Sequence, residues 1–544
     1  MRTRYSASAL VVVCAGVVAC FSLRGVAQVG SPRRIGDERA VPHHLADDEE
    51  FALPLGELLA HGKRLFEAAW TEEDGAGRPT MKGSGRELTD KSKPLIGARA
   101  FNRLSGPDAN ACSGCHNAPY GVPGGGGDFT SLVFVQGQRF DFATLNPADT
   151  LATAGARDEA GQLVDLGTAA NPRATTGMFG SGYLEMIARQ MTADLQAIRD
   201  TIRLGESKAL SSKGVAFGVL SRRTDGMWDT SKVEGLSRLS LLAPTPLDPP
   251  SLILRPWHQA SNVISLREFT NTAYNQHHGI QTTERFGLNV DADGDGVINE
   301  MTRADVTAAT LYQAVMAVPG RVIPRHPEIE SAVLRGEQLF DSIGCARCHI
   351  PRLPLDKRGW IFTEPNPYNP PTNLRTGEAG SLQVDLNSRE LPLPRLEADA
   401  AHPSVTWVPA YTDMKLHDIT DPDRPIDHEA LDMNHGTWST GFAKGNRKFL
   451  TKRLWGAANE PPFYHHGLYT TLRRATLAHG GEARGERLAF ERLSTYDQSA
   501  VVEFMKSLQV LPPGTPALVV DELFRPRNWP PLGATQVSQA SQAR

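Results

Sequence analysis

Cys112-Ser113-Gly114-Cys115-His116 recurs in pattern as Cys345-Ala346-Arg347-Cys348-His349, and these two stretches decide how the chain is read. Two thiols three positions apart on a helical turn can form thioethers to the two vinyl groups of a haem. The adjacent histidine can then swing its imidazole beneath the iron. With six cysteines in 544 residues, two independent copies are hard to assign to chance. A thioredoxin-like redox pair does not call for the following histidine. A zinc site needs two more soft ligands, and the mature chain has no further cysteine to give. The spacing therefore predicts two covalently bound haem c groups, attached at Cys112 and Cys115 and at Cys345 and Cys348, with His116 and His349 as iron ligands.

The other two cysteines lie in the leader. Met1-Arg2-Thr3-Arg4 is basic, Ala9 to Leu23 is apolar, and Gly25-Val26-Ala27 supplies small residues ahead of a cleavage site. Residues 1–27 read as a signal peptide. Val17-Val18-Ala19-Cys20 also fits a loose lipoprotein box, in which Cys20 would become the acylated first residue. Either route leaves four cysteines for haem and none for disulfides, which predicts a periplasmic protein that meets a membrane only if it is anchored at Cys20. No second apolar span follows. A composition of 40% hydrophobic and 22% charged residues is ordinary for a globular chain, and a net charge of −4 offers nothing to nucleic acid.

The distance between the motifs favours one haem per domain. Each motif is preceded by an amphipathic helix that ends in Gly-x-x-Leu-Phe, at Gly62 to Phe66 and at Gly336 to Phe340. A duplicated cytochrome c unit would leave such a weak repeat. Close helix packing would offset the cost of each glycine, about 1 kcal/mol. A closing helix is predicted from a Ser494 cap through Ala500, Val501, Phe504, Met505 and Leu508. The expected architecture is mainly α, with two cytochrome c-like domains, long loop-rich insertions and one haem in each. The boundaries are a linker over 28–54, the first domain over 55–325 with a calcium-loop insertion, the second over 326–512, and a tail over 513–544.

Asp291-Ala-Asp293-Gly-Asp295-Gly296 places three carboxylates at alternate positions around a sharp turn, the pattern of a calcium loop. The twelfth position is Thr302 where an EF-hand carries Glu, so a structural calcium and an ion-free turn both remain open. Candidates for a distal iron ligand are the pairs His277-His278 and His465-His466, each followed by glycine, and His417; His278 and His465 are preferred. His479-Gly480-Gly481 reads as a helix end with a glycine stop. The glycine run 124–127 lacks the Lys-Ser/Thr of a phosphate loop and reads as backbone passing close to a haem edge.

Taken in order, Ala111 to Pro119 running into the glycines, Asp291 to Glu300, Cys345 to Leu355, Tyr411 to Asp418, Leu454-Trp455-Gly456, Tyr464 to Gly467 and His479 to Ala483 resemble the di-haem oxidoreductase family. That family is similar to the bacterial di-haem cytochrome c peroxidases and to the methylamine-dehydrogenase-maturing di-haem enzyme. The resemblance covers residues 56 to 510. It implies two haems facing each other across an interface. The one on His116 would react with hydrogen peroxide or another small oxidant, and the one on His349 would receive electrons from a small cytochrome or copper protein. It also implies Glu185, in Gly180 to Ile187, as the base that moves a proton between peroxide oxygens. Two departures bear on the axial ligands. This chain has His465-His466-Gly467 where the family has His-Asp-Gly, and His278 where the family has methionine before the glycine. Two other readings share the same attachment motifs: a di-haem oxidase or oxygenase of an organic or protein substrate, and a non-catalytic electron carrier.

Overall fold

Two glycines mark where two pairs of helices close on each other. The computed structural model describes residues 35–76, 109–127, 130–134, 170–291, 295–435 and 439–530. Helix α1 (Leu55–Glu67) buries Leu58, Gly62, Leu65 and Phe66. The chain then forms the short turn α2 (Cys112–Cys115), the long α3 (Ser181–Asp200), α4 (Leu266–Ala273), the almost wholly buried α5 (Arg303–Ala314), α6 (Pro327–Ser342), α7 (Leu472–Ala478) and α8 (Thr495–Ser507). A Cβ added at Gly62 would run into the Ala308 carbonyl of α5 and sit 2.9 Å from Tyr312 Cβ. A Cβ added at Gly336 would run into the Ala500 carbonyl of α8 and sit 2.9 Å from Phe504 Cβ. The same crossing is thus built twice: glycine on one helix faces alanine on the other, with an aromatic residue four positions on. Caps fix the second helix of each pair, since Thr302 Oγ1 accepts from Asp305 N–H and Ser494 Oγ from Asp497 N–H.

The mainly α expectation does not survive. Helix accounts for 32% and strand for 15% of residues. Among the described residues the strands lie in six sheets of two or three strands each. One is the meander β3 (Glu206–Ser212), β4 (Val215–Arg222) and β5 (Trp228–Val233), which follows the antiparallel pair β1 (Thr130–Phe134) and β2 (Ala170–Ala174). Two separate cytochrome c-like domains are not seen either. Residues from Glu38 onward form one compact unit. Its main core mixes Leu58, Ile187, Leu210 and Ala308 with Phe362, Val408 and Trp455. The physical reason is that the long stretch between the motifs is not loop. Helix α3 buries most of its length, and it packs against strands that follow the second motif. A smaller core of Leu339, Phe340, Tyr411, Phe490, Val501 and Phe504 surrounds the second motif. No helix among the described residues is long and apolar enough to cross a membrane.

Candidate functional site

The residue that opens each site is the histidine of C-x-x-C-H. At the first motif, His116 N–H closes the α2 turn on Cys112 O at 2.9 Å, and its Nδ1 donates to Gly125 O at 3.2 Å. The glycine run wraps this histidine. Gly124 N–H donates back to His116 O at 2.8 Å, with φ +103 and no room for a side chain beside Met316. At the second motif, His349 N–H closes on Cys345 O at 3.0 Å and its Nδ1 donates to Tyr411 O at 3.1 Å. The rings are supported alike: Phe66 lies 6.3 Å from His116 and Phe340 lies 6.2 Å from His349, both tilted.

Burial lowers the pKa of both His116 and His349 to about 4, so each imidazole is neutral. With Nδ1 tied to a carbonyl, the Nε2 lone pair is left for a metal, the usual arrangement of a ligating histidine. Burial also pushes the Cys112 and Cys345 thiols up to about 12, far from the low-pKa thiolate of a redox C-x-x-C pair. All six motif side chains line one largely apolar cavity of about 370 Å³. Apolar walls, neutral Nε2-directed imidazoles and paired thiols together fit a haem at each motif.

The remaining histidines separate sharply. His479, at the end of α7, donates from Nδ1 to Ala475 O at 2.9 Å, and its ring lies 6.5 Å from that of His349. Two imidazoles bound to one iron through Nε2, each at a metal–nitrogen distance of about 2 Å, have ring centres roughly 6 Å apart. The His349–His479 separation is of that order, and Nδ1 of His479 is likewise tied to a carbonyl. The sequence reading gave it only a structural role. The available signal was its place one residue beyond a capped amphipathic helix, but its partner lies far away in the chain.

His278 closes a π-helical turn, Tyr274–His278, that extends α4, and such turns are often found at functional sites. Its Nδ1 donates to Ala109 O at 2.7 Å and its Nε2 lies 3.4 Å from Cys112 Sγ, at the attachment edge of the first motif. His277 lines the cavity beside it. The pair His465-His466 is split by its surroundings. His466 is engaged at both nitrogens, with Asp427 at 3.0 Å and Leu468 N–H at 3.0 Å. His465 stacks on Phe449 at 3.7 Å and lines the cavity, and its ring nitrogens are buried. Burial, then His466, lowers its pKa well below the usual value, leaving a neutral ring. His417 lies between Asp413 and Glu482, donating to each at 2.8 Å. Burial opposes its charge, yet the hydrogen bonds to Asp413 and to the free Cys348 thiol raise its pKa to about 11.

Glu185 is not brought to the cavity. It is fully buried in the core, where Leu266 N–H and Asn366 Nδ2 donate to it at 2.6 and 2.7 Å and Arg189 Nε at 3.2 Å. Its carboxylate is occupied in joining α3 to the start of α4. In the predicted calcium loop, Asp291 accepts from Asp295 N–H at 3.2 Å and Gly296 N–H at 3.0 Å, and Asp295 accepts from Val297 N–H at 2.7 Å. Asp293 lies outside the described residues, as do the leader, Cys20 included, and the end of the tail.

Residues 401–508 match the family model described as "Di-haem oxidoreductase, putative peroxidase", the family that the ordered motifs resemble. The matched stretch holds His465 and His479 but stops short of both attachment motifs. No curated protein matches the chain. Among solved structures, Kuenenia stuttgartiensis hydrazine synthase pressurised with 20 bar xenon is similar at 12% identity, over 52% of this chain and 73% of that one, with a TM-score of 0.24.

Proposed function

We propose, on the premise of a di-haem oxidoreductase, that this chain reduces hydrogen peroxide to two waters, taking two protons and two electrons, with the electrons supplied by a small cytochrome or copper protein. Cys112 and Cys115 hold one haem c and Cys345 and Cys348 the other, through thioethers, with His116 and His349 as proximal ligands. Bound there, haem supplies one-electron redox chemistry and, where a position is open, a site for an oxygen ligand.

The observation that carries this reading is an asymmetry. His349 faces His479 at 6.5 Å, whereas among the described residues the ring packed against His116 is that of Phe66. A pair of imidazoles closes the His349 position and suits it to electron entry. The His116 position keeps room for oxidant. His278 and His465 complete the candidate ligand set. His465, buried and neutral, can bind iron or accept a proton at a ring nitrogen. Glu185 supports the site from the core, by fixing α3 against α4.

Export to the periplasm and a structural calcium at Asp291, Asp293 and Asp295 belong to the same proposal. N-terminal sequencing of the mature chain tests the first, and loss of thermal stability on chelation tests the second. Electron paramagnetic resonance of the resting and half-reduced protein tests the central claim. One high-spin and one low-spin haem are expected. Two low-spin haems in both states would mean a carrier without a place for substrate.

A further inference from the structure

Just ahead of α4 the chain closes a small loop, held by Trp257 N–H on Val263 O at 3.3 Å and Val263 N–H on Trp257 O at 3.4 Å. Within it Ser261 N–H donates to His258 O at 3.0 Å, and Ser261 Oγ donates to Arg255 O at 2.7 Å. His258 is left at φ +58, a left-handed conformation that residues other than glycine rarely adopt. Backbone of this kind survives where its surroundings over-determine it, and it gathers at functional sites. The side chain is half-buried and lines the cavity. Its Nδ1 lies 3.1 Å from Asn262 Oδ1, an acceptor, which places the ring proton on Nδ1 and the lone pair on Nε2. Burial, then the Arg173 guanidinium, lowers its pKa to about 3, so the ring is neutral. Packing says which motif it serves. The His258 ring meets that of Phe269, on α4, at 5.5 Å. Phe269 in turn packs on the cluster of Phe66, Met178 and Met316, as Cys112 does, and Phe66 is the ring that supports His116.

We infer that His258 is the acid–base residue of the first-motif half of the cavity, taking a proton from the oxidant at Nε2 and handing it back. With hydrogen peroxide, the proton leaves one oxygen for Nε2 and passes to the other, which departs as water as the O–O bond breaks. The remaining oxygen takes the two electrons delivered by the carrier, and two protons, to become the second water. The inference rests on the di-haem peroxide reading proposed above.

The test uses the full-length holoprotein, with covalent haem content and peroxide turnover of the wild type measured first. Absence of covalent haem would overturn the di-haem reading and this inference together. Haem without turnover would overturn peroxide as the oxidant, and cyanide would still judge His258. Hydrogen cyanide must lose a proton to bind ferric iron, whereas carbon monoxide binds ferrous iron with none to lose. His258→Asn keeps a side chain that tolerates positive φ. It should slow cyanide association at the His116 haem by about 10²-fold or more, with carbon monoxide association and the resting spin state unchanged. The same outcome is expected of His258→Gln, which covers an Asn variant that fails to fold. Equal slowing of both ligands would mean that the residue governs access alone, and a changed spin state would mean that it ligates iron. Either result would overturn the inference. Unchanged cyanide kinetics would overturn it too, and would leave proton transfer to His465.

Discussion

The neighbourhoods of the two C-x-x-C-H motifs are built alike as far as the proximal imidazole and differ beyond it. On both sides a glycine lets one helix sink onto an alanine carbonyl of another, a phenylalanine four residues after that glycine supports the histidine ring, and the histidine gives Nδ1 to a backbone carbonyl. Beyond the ring, the second motif meets an opposing imidazole at 6.5 Å and a small core of its own. The first meets a π-helical turn and a glycine-wrapped wall. The shared part has only to present a buried, neutral imidazole beside two thiols. The differing part sets coordination number and local charge, which are the levers that separate redox potentials.

The largest expected effect comes from removing either proximal ligand. His349→Gly should block reduction by a donor cytochrome or copper protein while peroxide still oxidises the other haem. His116→Gly should leave a reducible cytochrome with peroxide turnover at background. Stopped-flow spectra of both variants with peroxide decide between divided and shared roles, and indistinguishable traces would erase the comparison.

A smaller effect is expected at His479. Replacing it with Ala removes the opposing imidazole, so one low-spin haem should become high-spin while the His116 haem keeps its spectrum. Peroxide binding should then be seen at two irons rather than one. A variant whose His349 haem stays low-spin would show that another side chain closes that position, and His465 would be the first to substitute next.

How much of this was legible in the chain depends on how local each signal is. The attachment motifs compress their chemistry into five residues, and both could be read directly. The closing helix was legible because a Ser494 cap and an apolar stripe define it, and α8 indeed spans Thr495–Ser507. The π-turn was half legible: the His277-His278 pair before a glycine could be read, but not the widened helix end that carries it. The fold class was misread because many of the strands are only two to five residues long, too short to leave an alternating pattern, and because nothing in residues 120–325 shows that they pack on the second half. His479 and Glu185 show the limit most clearly. Each lies on a helix the sequence predicts or borders, yet what each faces is fixed by tertiary packing: His349 for one, Leu266 and Asn366 for the other.

The smallest effects should come from the part the two regions share, and they sharpen the comparison because they ought to be parallel but addressed to different haems. Gly62→Ala and Gly336→Ala each place a methyl group against a backbone carbonyl, which cannot swing aside as the end of a flexible side chain would. Overpacking of this kind costs about 1–3 kcal/mol, so both variants should fold and melt at lower temperature than wild type. Phe66 and Phe340 sit one helical turn beyond the substituted glycines and pack on His116 and His349 respectively. Separation of the helices in Gly62→Ala should therefore disturb the spectrum of the His116 haem and leave the His349 haem alone, with the reverse in Gly336→Ala. Thermal unfolding followed in parallel with the two haem spectra reads both outcomes in one experiment. Equal destabilisation with crossed or absent spectral changes would mean that the helix pairs serve only the core, and that the proximal rings are held by their carbonyl hydrogen bonds alone.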